Sequence, residues 1–474
     1  MKGRRGRCGC GCALGPATSK GFSAVDFAED VLGLTLFPWQ RWLLIHALEL
    51  DASRRCRFRT VVVLVARQNG KTTVVQVLSL WRLLVDGARL VIGTAQNLDI
   101  SEEAWDGAVE LAESVPDIAA EIQAIDRTNG KKQLRFVHPY GRYKIAAASR
   151  RGGRGLSGDQ VNLDELREHQ DWLAWAAVTK TTMARPDPQV WAFSNAGDDR
   201  SVVLNDMQAK GRAAAGNPAD ADPSFGYFEW SAPDDCESWD RSAWPLANPS
   251  MGHGGVKVEA LESALATDPP AVFRTECLCI RVPSLEPKPI SAEDWAACSL
   301  SMPRPDGVPV FFVNVAPDSA AAAVGAAVLH EGVPRAEVAH TAPGTGWLVA
   351  RCVELAQRYP DAAWWCDAQA AKAYLPDLED AGLTVEVLPG TGLAAGCGHL
   401  QKLAKDRAFT YGPDPALEVA FAGAVKRDVG DGQWVWAQRR SAVDISPLVA
   451  VTGALWVLAS QPVDDGPAFV FSEA

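Results

Sequence analysis

Three groups of residues in this sequence have the types and spacing for phosphate and metal chemistry. The first is Gly70-Lys71-Thr72, which closes a loop directly after the apolar run Thr60–Val65. A helix opening there presents free N–H groups and a positive dipole end to an anion. Lys71 would reach the β- and γ-phosphates of a nucleoside triphosphate, and the Thr72 hydroxyl would ligate Mg2+. Gln68, Asn69 and Thr73 complete the expected cradle. The glycine that usually opens such a loop is missing, because Val65 stands five residues before Gly70. The second group is Asp164-Glu165: Asp164 suits the Mg2+ shell, and Glu165 suits a water that must be oriented or deprotonated. Ser194 and Asn195, after a further apolar run, could sense the γ-phosphate. The third group is Asp318, Asp367 and Asp444, three carboxylates from distant sequence that could hold two divalent ions about 4 Å apart for in-line phosphodiester cleavage. Taken singly, each is also an ordinary surface feature. The first two gain weight from their order and from each following a strand-like run.

These groups need elements to position them. Thr60–Val65 is continuously apolar and β-branched, the pattern of a strand buried on both faces. Thr72–Val85 has helical length, contains no proline and stops at Gly87. Leu90–Thr94, Tyr143–Ala148, Gln160–Leu163 and Val190–Ser194 read as further strands. Strands alternating with helices predict a parallel, three-layer α/β domain, in which ligands collect at the carboxyl ends of the strands. Gln160-Val161-Asn162-Leu163 alternates polar with apolar residues, which predicts a short strand or one near a sheet edge. Prolines at 283, 287, 289, 303, 305 and 309 mark a connector, and the boundary is expected near residue 300. Beyond it, Val310–Val315, Ala326–His330 and Ala362–Cys366 read as strands. Ser446 is expected to cap an apolar helix running to Leu458, with Pro447 in its first turn.

The chain has 474 residues, a net charge of −12 and no apolar stretch long enough to span a bilayer. The length favours two domains. The acidic balance argues against generalised DNA coating but leaves room for a local basic patch. Lys131, Lys132, Arg135, Arg142, Lys144, Arg150, Arg151 and Arg154 form one such stretch, and a solvated face explains it equally well. Residues 1–25 read as a flexible basic tail. The odd count of 11 cysteines predicts free thiols in a reducing compartment. Cys8, Cys10 and Cys12 are spaced more tightly than a usual zinc knuckle.

"ARQNGKT" resembles the nucleotide loop of large terminase subunits, the packaging motors of tailed bacteriophages, where the loop carries an arginine near its start, here Arg67. "LFPWQRWLL" is similar to the family's adenine-contacting segment, with Gln40 as the contact. "SRRGGRGLSGDQVNLDE" resembles its approach to the acidic pair, and "FSNAG" its coupling motif. The resemblance covers residues from about 30 to 460. It implies a P-loop ATPase domain with a parallel sheet over 26–300, followed by an RNase H-like nuclease domain with a mixed sheet over 301–474. Arg67 or an arginine of the 150–154 segment would stabilise charge on the transferring phosphate, Arg154 being favoured for action on a neighbouring subunit.

"FFVNVAPDSAAAAVGAA", "AAWWCDAQ" and "AVDISPLVAVTGALW" resemble the three acidic motifs of the terminase nuclease. Asp367 and Asp444 match directly, whereas Asn314 stands where the family pattern has its leading aspartate. An amide oxygen can ligate a metal but brings no charge. Either Asp318 supplies the missing carboxylate, or cleavage is weak or lost. Lys426, Arg427, Arg439 and Arg440 could track a DNA backbone. The resemblance further implies ATP and Mg2+ as cofactors, with Mn2+ able to substitute in the nuclease site. Its implied partners are double-stranded DNA, a portal protein and a small terminase subunit. The chain would form a ring on the portal, in the host cytoplasm and transiently at the procapsid. The alternatives are a helicase-like translocase unrelated to packaging and a DNA- or portal-binding remnant without turnover.

Overall fold

The structure, a computed structural model, describes residues 12–95, 98–128, 132–146, 156–217, 221–285, 288–301, 307–430 and 432–461, with the side chains of 98–100 excepted. The chain divides into two compact units, Met1–Leu285 and Glu286–Ala474. The division falls before the expected junction because Trp295, on a short helix Ala292–Ala297, belongs to the second core. Its ring stacks on Phe421 at 4.3 Å and on Tyr411 at 4.5 Å. The last residues of the expected 1–25 tail are instead packed helix. Helix α1 (Gly21–Asp26) buries Phe22 and Val25, and a Cβ on Gly21 would lie 2.1 Å from the Leu44 carbonyl oxygen of helix α2 (Pro38–Ala47).

The first unit holds an eight-stranded sheet. Its strands are β1 (Thr60–Leu64), β2 (Leu90–Thr94), β3 (Ile122–Asp126), β4 (Gln133–Phe136), β5 (Gly141–Ile145), β6 (Gln160–Leu163), β7 (Gln189–Ser194) and β8 (Phe225–Glu229). In space they run β3-β4-β5-β2-β6-β7-β1-β8. From β5 to β8 every pairing is parallel, and β3 and β4 add an antiparallel edge. Helix α3 (Lys71–Leu84) joins β1 to β2, and helix α4 (Leu98–Ser114) follows β2. The period-2 geometry of β1 divides its side chains between two cores. Val61 and Val63 pack with Trp81 and Trp105 on one face, while Val62 and Leu64 pack with Leu163 and Trp175 on the other.

Strand β6 is short but not at an edge: it lies between β2 and β7, with all four residues buried. Its polar side chains are held inside by amide hydrogen bonds, although Gln160 Oε1 is left without a partner. Gln160 Nε2 donates to Asn162 Oδ1 at 2.8 Å, and Asn162 Nδ2 donates to Ser79 Oγ of α3 at 2.8 Å. The alternation therefore marks an internal hydrogen-bond ladder that ties the acidic-pair strand to the phosphate-loop helix. Helix α5 (Pro270–Glu276) comes later in this unit.

The second unit has a six-stranded mixed sheet in the order β13-β12-β9-β10-β11-β14. These strands are β9 (Val310–Val315), β10 (Ala321–His330), β11 (Val333–Pro343), β12 (Ala363–Asp367), β13 (Val385–Leu388) and β14 (Thr410–Tyr411). A hairpin follows, β15 (Lys426–Gly430) with β16 (Gln433–Trp436). Helices α6 (Gly390–Lys405) and α7 (Ser446–Ser460) pack against one sheet face with Phe312. Two glycines allow the close approach: a Cβ on Gly325 would lie 2.5 Å from the Ala450 backbone, and one on Gly453 would lie 2.6 Å from the Phe312 ring. Replacing Gly325 by Ala is expected to cost about 2 kcal/mol by overpacking against backbone. Urea unfolding of the intact protein should then begin at a lower concentration. Among the described residues no helix is long and apolar enough to cross a membrane, and none of the nine described cysteines forms a disulfide.

Candidate functional site

The loop after β1 turns sharply. Gln68 has φ 60° and Gly70 φ 88°, both left-handed. Gly70 is required twice over, since a Cβ there would also meet Gln40 Nε2 at 2.6 Å. As the residue preceding α3, Gly70 gives the helix no side-chain cap, so the first-turn N–H groups are left for an anion. Lys71 Nζ rests 3.3 Å from the Val65 carbonyl oxygen, folded back over its own loop. Thr72 is exposed and Thr73 half-buried at the same helix start.

Two residues of the expected cradle act differently from expectation. The fully buried Asn69 side chain donates to the Ala66 and Arg67 carbonyls and to Asn248 Oδ1, and accepts from Ser250. It is the loop's anchor and has nothing left for a nucleotide. Gln40, expected as an adenine contact, spends its amide inside the protein. Its Oε1 accepts from the Phe37 N–H at 2.8 Å, and its Nε2 donates to the Gly70 carbonyl at 2.8 Å. Gln40 thus fixes the loop to the start of α2, as does Trp39 Nε1 through the Asn69 carbonyl.

The acidic pair sits at the carboxyl end of β6, beside β2 and in the same sheet as β1. Burial raises the Asp164 carboxyl to about 6, with the Lys71 charge pulling the other way, so the two groups face one electrostatic environment. A divalent cation would supply the charge this carboxylate lacks, and Thr72 offers the complementary hydroxyl; these residues fit Mg2+. Glu165 is held in a left-handed conformation, φ 53°, and is 8% exposed. Strain of that kind concentrates where a side chain must be aimed.

Three of the buried polar atoms without an aligned hydrogen bond stand at strand ends, and one of them, Glu165 Oε2, has the Arg167 ion pair at 3.0 Å. Thr94 Oγ1 ends β2, Glu165 Oε2 follows β6 and Asn195 Oδ1 follows β7. Such orphans are rare in a folded interior and call for an explanation. Ser194, by contrast, is occupied, its hydroxyl accepting from the Arg167 N–H at 3.1 Å. Thr94 and Arg167 escaped sequence reasoning. Thr94 closes a strand already recognised and was legible by the same logic as Ser194.

Arg154, with Arg150 and Arg151, lies outside the described residues, as do Lys131, Cys8 and Cys10. Lys132 is already neutralised by Glu102 at 3.1 Å and Asp106 at 3.0 Å, which removes it from any free basic patch.

In the second unit, β9 and β12 are parallel neighbours, and this brings Asn314 and Asp367 together. Asp367 is 4% exposed, and burial raises its carboxyl above the usual range. Asn314 Nδ2 donates to Asp367 Oδ2 at 2.8 Å, and Gln438 Nε2 donates to Asn314 Oδ1 at 2.5 Å. A carboxylate only accepts, so the nearer Asn314 atom must be its NH2, and its oxygen is committed to Gln438. Asp318 does not replace the missing carboxylate. It is exposed in the β9–β10 turn, where it accepts from the Ala320 N–H. Ser446 is the first residue of α7 and not its cap; Asp444, two residues earlier, is committed to it, its Oδ1 accepting the Ser446 N–H at 3.0 Å and hydroxyl at 2.7 Å. Among the described residues no three His, Cys, Asp or Glu side chains come together to hold a metal ion. The residues here do not fit a pair of divalent cations.

A phosphate-type loop on a parallel sheet and a unit with a mixed sheet define a two-unit α/β protein. No family model matches the sequence, and no curated protein matches it. Among solved structures, the chain is similar to the large terminase of bacteriophage HK97, with 17% identity and a TM-score of 0.50, covering 93% of this chain and 100% of that one. It is also similar to an ATPase-domain mutant of the Thermus phage P74-26 large terminase, at 18% identity and TM-score 0.40, covering 54% and 98%. The large terminase nuclease of thermophilic phage G20c aligns at 16% identity and TM-score 0.27, covering 32% and 82%. The resemblance read from the motifs thus extends to the fold.

Proposed function

We propose that the chain is the ATP-hydrolysing motor of a viral DNA-packaging machine, translocating double-stranded DNA into a procapsid. One observation carries this reading: Thr94 Oγ1 and Asn195 Oδ1, buried without hydrogen-bond partners at the ends of β2 and β7, and the buried Asp164 carboxyl after β6 lie in the sheet whose β1 leads into an uncapped helix start bearing Lys71. Lys71 and the first-turn N–H groups hold the β- and γ-phosphates, while Thr72 and Asp164 hold Mg2+, which neutralises developing phosphate charge when bound. Glu165 orients and deprotonates the attacking water, and Arg67 steadies the transferring phosphate. Portal, small subunit and ring assembly belong to this reading through the likeness to terminases.

The test is ATP hydrolysis by the purified protein with and without duplex DNA. Glu165→Gln should lower kcat by about a hundredfold or more with KM nearly unchanged, because the base acts in the transition state alone. Absence of hydrolysis by the wild type in the presence of DNA would leave a binding remnant as the better reading. In the second unit, the Asn314 amide stands where a metal-binding carboxylate would be needed, and DNA cleavage is weak or lost.

A further inference from the structure

Glu276 ends α5, far in sequence from the loop and from the acidic pair, yet it meets both. The Arg67 N–H donates to the Glu276 carbonyl at 3.0 Å, and Arg67 Nε lies 2.8 Å from Glu276 Oε2. On the other side, Arg167 Nη1 donates to Glu276 Oε1, and Arg167 Nε lies 3.0 Å from Glu165 Oε2 and 3.3 Å from Glu168 Oε1. The result is an alternating chain, Glu165–Arg167–Glu276–Arg67, that runs from the proposed base to the loop arginine.

The chain is firm in the middle and loose at both ends. The Arg167–Glu276 contact is an aligned hydrogen bond. Glu165 Oε2, Arg167 Nε and Glu276 Oε2 accept or donate no aligned bond despite their ion pairs. The end contacts are therefore held by charge without an aligned hydrogen bond, and each can be given up for a better-placed partner. Arg67 is also the most accessible member, with its side chain 55% exposed against 15% for Glu276.

We infer that Glu276 is a positioning residue that couples phosphate binding at Arg67 to release of Glu165; the inference rests on the ATPase reading above. A triphosphate competes with Glu276 for Arg67. Once Arg67 turns away, Glu276 has only Arg167 to neutralise it, and draws that guanidinium off Glu165. The freed carboxylate is then available to the attacking water. Without nucleotide, Arg67 shares Glu276 and Arg167 keeps the base occupied.

Glu276→Gln separates this coupling from simple damage. Removing the charge frees Arg67 for phosphate and leaves Arg167 to Glu165. KM for ATP should fall about threefold or more while kcat falls about tenfold. A purely structural role predicts a raised KM or parallel loss of both. Glu276→Asp retains the charge and should restore kcat to within about threefold of wild type. A Glu276→Gln enzyme with unchanged or raised KM, or a Glu276→Asp enzyme as slow as Glu276→Gln, overturns the inference while wild-type hydrolysis keeps the ATPase reading. A wild type that binds no ATP overturns both.

Discussion

Lys71→Ala is expected to reduce DNA-stimulated ATP hydrolysis by at least about a hundredfold, the usual consequence of deleting a charge aimed at a transferring phosphoryl group. The side chain is half-buried and leans on the Val65 carbonyl; without its charge the buried Asp164 carboxyl shifts further toward the neutral acid, which needs no counter-charge. The fold is held instead by Asn69, Gln40 and the two cores around β1. Circular dichroism of the variant should match the wild type while phosphate release disappears. Lys71→Arg keeps the charge but replaces a compact ammonium with a planar fork, and should recover little of the rate. Hydrolysis by Lys71→Ala at the wild-type rate would place the reaction elsewhere.

Asn314→Asp is expected to turn the weak site of the second unit into a metal-binding one. In the wild type the amide NH2 occupies Asp367 Oδ2, and Gln438 holds the amide in that orientation. An aspartate there sets two carboxylates face to face in a buried pocket, a repulsion that a divalent cation relieves. The variant should be less stable than wild type in EDTA and should gain thermal stability on adding Mn2+, a gain the wild type lacks. Plasmid cleavage with Mn2+ should rise about tenfold or more, in keeping with a metal that stabilises transition-state charge. Equal cleavage and equal Mn2+ response in both forms would remove the role given to Asn314.

The parts of the molecule legible in sequence are those where burial dictates residue type. Val61–Leu64 and Val310–Val313 are uniformly apolar because both faces are covered, and the strands that contain them stand where the pattern places them. Gly70-Lys71-Thr72 was legible because a strand followed by a left-handed glycine and a helix start is a local pattern. The failures are long-range. Gln160 and Asn162 suggested a short strand or an edge; the strand is short, and the edge alternative fails because their partners, one another and Ser79, come from packing. Gln40 and Asn69 carry polar groups suited to a ligand, yet the fold spends them on Gly70, Asn248 and Ser250. Asp318 was distinguishable from a ligand only once the tight β9–β10 turn was known. Glu276 has no motif around it at all; only the return of α5 to the loop gives it a role.

The most direct test of the central claim is a structure of the protein with a slowly hydrolysed ATP analogue and Mg2+. The triphosphate should lie along the N–H groups of Gly70–Thr72 with Lys71 Nζ on its β- and γ-oxygens, and the cation between the Thr72 hydroxyl and Asp164. An analogue bound away from this loop, or a cation that ignores Asp164, would contradict the account.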